Sequence, residues 1–182
     1  MEWKIPGTVL KCPKEEATSL QGRFEGMFLG GDIALSQVVA ITGMESHTIQ
    51  NWVKRGFLTP PKNKRYTLQQ LCRILHINML KDVMPLERIC SLLRYINGKL
   101  DQEDDDIIDD AALYFLFVRL AARAKQLDDP AVWKQAMVEA LCNYQEPVPG
   151  ARERIEKALR IMLIGNVACK MAQTAERMLD EL

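Results

Sequence analysis

Apolar residues recur at every third or fourth position through most of the chain from residue 35 onward. This period places them on one face of an α-helix, and glycines, prolines or short polar runs separate the periodic segments. The 182 residues, of which 48% are hydrophobic, can bury a core as one domain or as two small ones. The sequence therefore predicts a folded, mainly α-helical protein.

The helical pattern divides the chain into four parts. In residues 1–30, glycines and prolines interrupt every short apolar run, which predicts an extended or loosely helical amino-terminal arm. Residues 31–98 contain four helical segments, and an acidic loop covers residues 99–110. Residues 111–182 are predicted to form an all-helical carboxy-terminal region for packing or dimerisation.

Two short helical segments with a tight turn between them occupy residues 35–56. Ser36 and Ser46 are candidate amino-terminal caps, and Gly43 ends the first segment. In the second segment Trp52 belongs to an inward-facing apolar stripe, while the other face is polar and has no acidic residue. Two such helices are typical of a helix-turn-helix motif.

A short β-hairpin is expected after the second helix. Pro60 and Pro61 prevent a helix there, and a basic turn follows them. Tyr66 is expected to return to the core, and Thr67 to cap the next helix. The segment therefore predicts a wing beside the helix-turn-helix motif.

Charge is unevenly distributed, although 24 basic and 24 acidic residues give a formal net charge of +0. Residues 46–81 contain seven basic and no acidic residues, whereas residues 101–110 contain seven acidic and no basic residues. This separation creates a local field that selects partners by charge. The alternative, an ordinary solvated surface, usually mixes both signs. We expect the acidic loop to be a hinge, with Asp109 and Asp110 near the positive end of the following helix.

Residues 35–93 resemble the DNA-binding domain of the MerR superfamily of transcription regulators. The matching pieces are LSQVVAITGMESHTIQNWVKRGFL, PPKNKRYTLQQL and MPLERICSLL, in this order and at this spacing. A narrower likeness is to a MerR-like bacterial family classed as a domain of unknown function. The resemblance implies a winged helix-turn-helix domain that binds double-stranded DNA as a dimer. The long dimerisation helix expected directly after the fourth helix is replaced here by the acidic loop and several helices.

On this interpretation the second helix enters the major groove and the wing lies on the DNA backbone. Gln50 and Asn51 suit adenine, because each side chain can pair with its N6 and N7 edge. Five cationic side chains per subunit would neutralise phosphates, which gives a dimer a slope of log K against log salt of up to about −9. The expected DNA-binding residues are His47, Thr48, Gln50, Asn51, Lys54, Arg55, Lys62, Asn63, Lys64 and Arg65.

A protein-interaction adaptor with no DNA role is the alternative function. It would bind partners through the segment ALYFLFV and through the last helix. In residues 161–182 apolar side chains alternate at spacings of three and four, the rhythm of a two-helix seam. Dimerisation through this helix and its packing on ALYFLFV in the core remain open alternatives. An enzyme is not expected, because the sequence shows no nucleophile–base pair, no glycine-rich phosphate loop and no paired carboxylates at a cleft.

The five cysteines are widely spaced and include no C-x-x-C pair, so neither a disulfide framework nor a zinc ribbon is expected. No cofactor is expected, although Cys142 and Cys169 could form a sensor of metal or oxidant. The longest nearly uncharged run, IMLIGNVAC, is shorter than the about 20 apolar residues that span a bilayer. The amino terminus lacks the apolar core of a signal peptide. We therefore expect a cytoplasmic protein without membrane contact.

Overall fold

The computed structural model describes residues 2–98, 100, 106–123 and 129–182. This part of the chain contains eight α-helices and two pairs of short strands, which confirms the mainly helical fold class. The helices are α1 (Leu20–Met27), α2 (Leu35–Thr42), α3 (Ser46–Lys54), α4 (Leu68–Leu80), α5 (Leu86–Asn97), α6 (Asp110–Ala122), α7 (Pro130–Ala140) and α8 (Ala151–Asp180). The strands are β1 (Glu2–Lys4), β2 (Lys11–Pro13), β3 (Ile33–Ala34) and β4 (Arg65–Tyr66). The expected hinge at acidic residues 101–105 lies outside the described residues.

Helices α4 and α6 form the centre of the described structure. Helix α4 is buried over most of its circumference and packs against α2, α5, α6 and α8, which explains its nearly continuous run of apolar residues. Buried side chains from both ends of the chain, including Trp3 and Met162, belong to one apolar cluster. The amino-terminal and carboxy-terminal segments therefore share a core with the helices between them.

The amino-terminal hairpin is tied to this centre rather than lying free on the surface. Strands β1 and β2 pair antiparallel, and Gly7 between them has a φ of 75°. A methyl group on Gly7 would overlap the carbonyl oxygen of Leu75, so only glycine allows the hairpin to approach α4 this closely. Asn78 Nδ2 donates to the Gly7 carbonyl at 2.8 Å, and Tyr114 Oη donates to the Pro6 carbonyl at 2.7 Å.

The two serine caps predicted for α2 and α3 are wrong. Helix α2 begins at Leu35 with Ala34 as its cap residue, and the backbone N–H of Ala34 donates to Gln37 Oε1 at 2.9 Å. This single bond caps the helix before Ser36 is reached. Ser46 is the first helical residue of α3, because Glu45 holds the extended cap position.

Other predicted helix ends are confirmed. The Thr67 hydroxyl accepts from the backbone N–H of Gln70 at 3.2 Å, and the Gln70 side chain accepts in return from the backbone N–H of Thr67. Asp109 caps α6 by accepting from the N–H of Ala112 at 2.8 Å, as its place at the positive end of that helix predicted. Gly43 ends α2 with a φ of 70°.

The last helix lies partly on the body of the protein and partly beyond it. One face of α8, which includes Ile155 and Met162, packs against α4, α5 and α6. From Met171 to the end of the chain every residue is exposed. By contrast residues 113–118, from the segment proposed as an adaptor surface, are buried and offer no exposed side chains to a partner. In the described chain no helix has both the length and the apolar character needed to cross a membrane.

Candidate nucleic-acid interface

Helix α3 is fixed by its apolar face and presents its polar face to solvent. Ile49 and Trp52 are buried on the body, which confirms the core position predicted for Trp52. The side chains expected on the opposite face are exposed, except for Thr48, which is half-buried. The exposed members of that face are His47, Gln50, Asn51 and Lys54.

The carboxy-terminal end of α3 carries an arginine whose charge is opposed. Arg55 Nη2 lies 2.7 Å from Glu87 Oε1, a residue at the start of α5. The guanidinium also stacks on the Phe57 ring, with 4.5 Å between its central carbon and the ring centroid. The basic run of the sequence is therefore not wholly unopposed, because the fold brings an acidic residue from another helix to Arg55.

The segment between α3 and α4 contains a tight turn at residues 62–65, which we call the basic turn. The backbone N–H of Arg65 donates to the Lys62 carbonyl at 2.8 Å. Both central residues have positive φ values, 49° at Asn63 and 61° at Lys64, as in the turns that join adjacent antiparallel strands. Asparagine tolerates this conformation, but lysine in place of the usual glycine is destabilising by about 1 kcal/mol.

The strand that leaves the basic turn is anchored to a segment ahead of α2. Strands β3 and β4 pair antiparallel, with Ala34 opposite Arg65. Arg65 Nη1 donates to the Asp32 carbonyl at 2.9 Å, and Tyr66 is buried as predicted. The hairpin predicted within residues 60–66 is therefore only a single bridge between Lys62 and Arg65, and the second pairing partner comes from β3.

Two side chains of α4 hold the chain that connects α3 to the basic turn. Gln70 Nε2 donates to the carbonyls of Thr59 at 3.1 Å and Pro60 at 3.2 Å. Arg73 Nε donates to the Phe57 carbonyl at 3.3 Å. These bonds fix the path between the two candidate DNA-contacting elements against one rigid helix. Arg73, one of the seven basic residues of the run, thus faces the interior.

Arg73 also joins the basic and acidic runs of the sequence inside the protein. Its Nη1 lies 3.3 Å from Asp110 Oδ2 at the start of α6, and both side chains are largely buried, with exposed fractions of 10% and 14%. Burial raises the pKa of the Asp110 carboxyl, and the Arg73 guanidinium only partly offsets this. The pair therefore links α4, which holds the chain after α3, to α6 at the start of the carboxy-terminal region.

Three cations on the candidate surface have no ion pair within the described residues: Lys54, Lys62 and Lys64. The Arg65 guanidinium donates to a backbone carbonyl and has no ion pair with any described residue. The surface thus combines positive charge with exposed amide side chains, the group types that contact phosphates and base edges in DNA-binding proteins. Across the described residues, no three His, Cys, Asp or Glu side chains are grouped as metal ligands would be.

Residues 32–117 match the family model described as "Domain of unknown function (DUF1836)". The matched range begins at Asp32, whose carbonyl holds Arg65, and ends within α6. The "Uncharacterized protein YkrK" of Bacillus subtilis (strain 168) is 29% identical over 86 residues. The alignment covers 45% of this chain and 37% of that protein, so the chain spans well under half the length of the relative. No solved structure matches the chain significantly.

Proposed function

We propose that the chain is a MerR-like winged helix-turn-helix protein that binds double-stranded DNA sequence-specifically and regulates transcription as a dimer. Helix α3 enters the major groove, and the basic turn is the wing that lies on the backbone. The main support is Lys64, an exposed cation in a backbone conformation that favours glycine. The Lys64 side chain is exposed, so its packing does not offset the cost of the strained backbone. Such uncompensated strain indicates a functional side chain.

The shape and chemistry of α3 fit this role. An α-helix with its side chains is about 10–12 Å across, and the major groove, about 12 Å wide, admits it. Gln50 and Asn51 are exposed and can each make a bidentate pair with adenine. His47 and Thr48 lie in the first turn, where a recognition helix reaches bases or phosphates first.

The structure leaves fewer cations for phosphate contacts than the sequence indicated. Because Glu87 opposes Arg55, four cations per subunit remain for phosphates: Lys54, Lys62, Lys64 and Arg65. Eight contacts in a dimer give a slope of log K against log salt of up to about −7. Selection of bound fragments from random duplex DNA, followed by titration of the selected site at several salt concentrations, tests the proposal. Recovery of no enriched sequence together with a flat salt dependence would refute it.

Lys64→Gly should separate stability from DNA affinity. Glycine relieves the positive φ, so the free energy of unfolding should rise by about 1 kcal/mol. Loss of one phosphate contact per subunit should weaken DNA binding by about tenfold and make the salt slope shallower by about 2 in a dimer. Urea unfolding and fluorescence anisotropy with labelled duplex measure the two effects. A variant with lower stability and unchanged affinity would contradict this assignment of Lys64.

We propose that the dimer forms through an exposed seam on α8 and the residues directly after it. The seam consists of the residues at alternating spacings of three and four: Ile161, Ile164, Ala168, Met171, Ala175, Met178 and Leu182. All seven are exposed, whereas the residues that pack on the body, such as Ile155 and Met162, occupy the other side of the helix. The helix therefore has two apolar faces, and only one of them is covered by the described chain.

A second copy of α8 fits the seam in antiparallel orientation. At the flanking positions beside the seam, an antiparallel pairing of residues 161–178 sets Arg160 of one copy opposite Glu181 of the other, at both ends. A parallel pairing places no charged residues opposite each other at these flanking positions. The heptad spacing therefore favours pairing with a second copy of α8, and the flanking charges favour the antiparallel orientation.

Met171→Glu should convert the dimer to a monomer. It places two carboxylates near each other in the middle of an apolar seam, which should raise the dimer dissociation constant by about 100-fold or more. Gln173→Glu is the matched control, because it adds the same charge to the same turn outside the seam. Sedimentation equilibrium measures the constant. A wild-type protein that is monomeric and retains no duplex DNA would support the adaptor function instead.

A further inference from the structure

A cavity of about 280 Å³ lies where the short 3₁₀ helix Lys14–Thr18 meets α6 and α7. Half of the residues that line it are apolar, four alanines and one leucine: Ala17, Leu120, Ala122, Ala136 and Ala140. Ligand sites in proteins usually have volumes of about 300–1,000 Å³, and this cavity lies at the lower edge of that range, which limits it to a small ligand. It belongs to none of the surfaces described above.

Arg119 lines this cavity and has no partner within the described residues. It is the one charged residue in residues 111–122, on a helix that is otherwise apolar after its first residue. Its side chain is partly buried, and burial lowers the pKa of the guanidinium. Uncompensated burial of a cation is unfavourable, so an anion that pairs with it would gain binding free energy.

Other partly buried arginines in the protein are satisfied by neighbours. Arg73 bonds Asp110 and a backbone carbonyl, and Arg152 donates to the carbonyls of Leu141 and Tyr144. Arg119 differs from both, because neither a carboxylate nor a carbonyl of the described chain accepts from it. Among the described partly buried arginines, Arg119 therefore remains available to an anionic ligand.

The charges that face the cavity favour an anion. Lys14 lies at its rim and has no ion pair in the described structure. The nearby carboxylate of Glu139 is already engaged, since Arg123 donates to its Oε2 and Gln135 to its Oε1, both at 3.0 Å. Among the charged residues that line the cavity in the described structure, these bonds leave Arg119 and Lys14 available, and both are cationic.

We propose that this cavity binds a small organic anion with an apolar body, of the class of medium-chain carboxylates. The carboxylate lies between Arg119 and Lys14, and the hydrocarbon chain lies along the alanine-rich wall. Charge-assisted hydrogen bonds to the guanidinium fix the head group, and the apolar wall excludes water from the chain. The site is independent of α3 and of the basic turn, so it can be tested without DNA.

Calorimetric titration with octanoate tests the proposal. Saturable binding is expected with the full chain, and 1-octanol, which has the same chain without the charge, should bind at least about tenfold more weakly. Arg119→Met should weaken octanoate binding by about tenfold or more, whereas Arg88→Met, at an exposed arginine of α5, should not change it. Absence of octanoate binding, or equal binding by the Arg119→Met variant, would overturn the proposal.

The stability of the ligand-free variants gives a second readout. Removing an unpaired, partly buried charge should raise the melting temperature of Arg119→Met, whereas a purely structural arginine would lower it when removed. Ala140→Leu narrows the cavity without touching either cation, and it should also weaken octanoate binding. It provides the decisive comparison if Arg119→Met does not fold, and octanoate affinity equal to wild type in a folded Ala140→Leu protein would again overturn the site.

Discussion

Replacement of Lys62 and Lys64 together by glutamate is expected to lower DNA affinity by about a thousandfold or more at low salt. In a dimer the change removes four phosphate contacts and puts four negative charges against the DNA backbone. The fold should survive, because both side chains are exposed and neither has an ion pair in the described part of the chain. Anisotropy titration with the selected duplex measures the affinity, and circular dichroism checks the fold.

Lysines on other surfaces provide the matched control for this double reversal. Lys4→Glu with Lys134→Glu makes the same change in net charge at exposed positions on β1 and α7, and neither lysine has an ion pair in the described part of the chain. If general charge alone attracted DNA, both double variants would lose affinity equally. Equal losses, or undiminished binding by the Lys62→Glu, Lys64→Glu protein, would exclude the basic turn as the DNA contact.

The structure decides which cations are suitable for that experiment. From the sequence, Lys64 and Arg65 form the natural pair to reverse, because they are adjacent in the basic run. Arg65, however, donates to the Asp32 carbonyl and lies in the strand pair of β3 and β4. Its reversal would disturb the anchor of the turn as well as its charge, so a loss of binding would have two explanations.

Helix positions were predictable because their signals are local. The apolar period and the Gly43 stop locate α2 and α3 to within about two residues, and Thr67 caps α4 as expected. Where the prediction of caps is wrong, at Ser36 and Ser46, a neighbouring residue takes the cap position one or two places earlier. Such small shifts leave the inward face of each helix unchanged.

Contacts between distant segments were not predictable from these signals. Glu87 lies outside the basic run, yet it opposes Arg55, and Asp110 from the acidic run reaches Arg73 inside the core. Both pairings depend on how α5 and α6 pack against the segments before them. The basic run in the sequence therefore contains more cations than the surface presents without an acidic partner.

The strained turn and the cavity also escaped sequence analysis, for different reasons. No glycine marks Lys64, so nothing in the sequence signals its positive φ. In the sequence Arg119 is an ordinary polar residue near a helix end, because the sequence does not show which elements pack beside α6. In α8, by contrast, the spacing of three and four predicted the seam, and the structure adds that this face is uncovered while the opposite face packs on the body.

A buried histidine should make the protein unstable in acid. His76 is fully buried on α4, and within the described structure neither ring nitrogen has a hydrogen-bond partner. Its Nδ1 lies 3.9 Å from Asp110 Oδ1, and its ring meets that of Tyr114 edge to face at 5.5 Å. Burial, and then the charge of Arg73, lowers the pKa of His76 from 6.5 to about 3.

The direction of the pH effect follows from this lowered pKa. Below about pH 6.5 the unfolded chain binds a proton on His76 while the folded protein does not, so the free energy of unfolding falls as the pH falls. The loss from this group should reach about 5 kcal/mol near pH 3. Asp110 acts in the opposite direction, because its raised pKa lets the folded protein bind a proton more readily than the unfolded chain.

His76→Phe isolates the contribution of the histidine, because it keeps an aromatic ring beside Tyr114 but cannot be protonated. The difference in unfolding free energy between wild type and variant, measured by urea titration at intervals from pH 7 to 3, should change by up to about 5 kcal/mol in favour of the variant. Parallel curves for wild type and His76→Phe would mean that His76 takes up its proton in the folded protein as readily as in the unfolded chain.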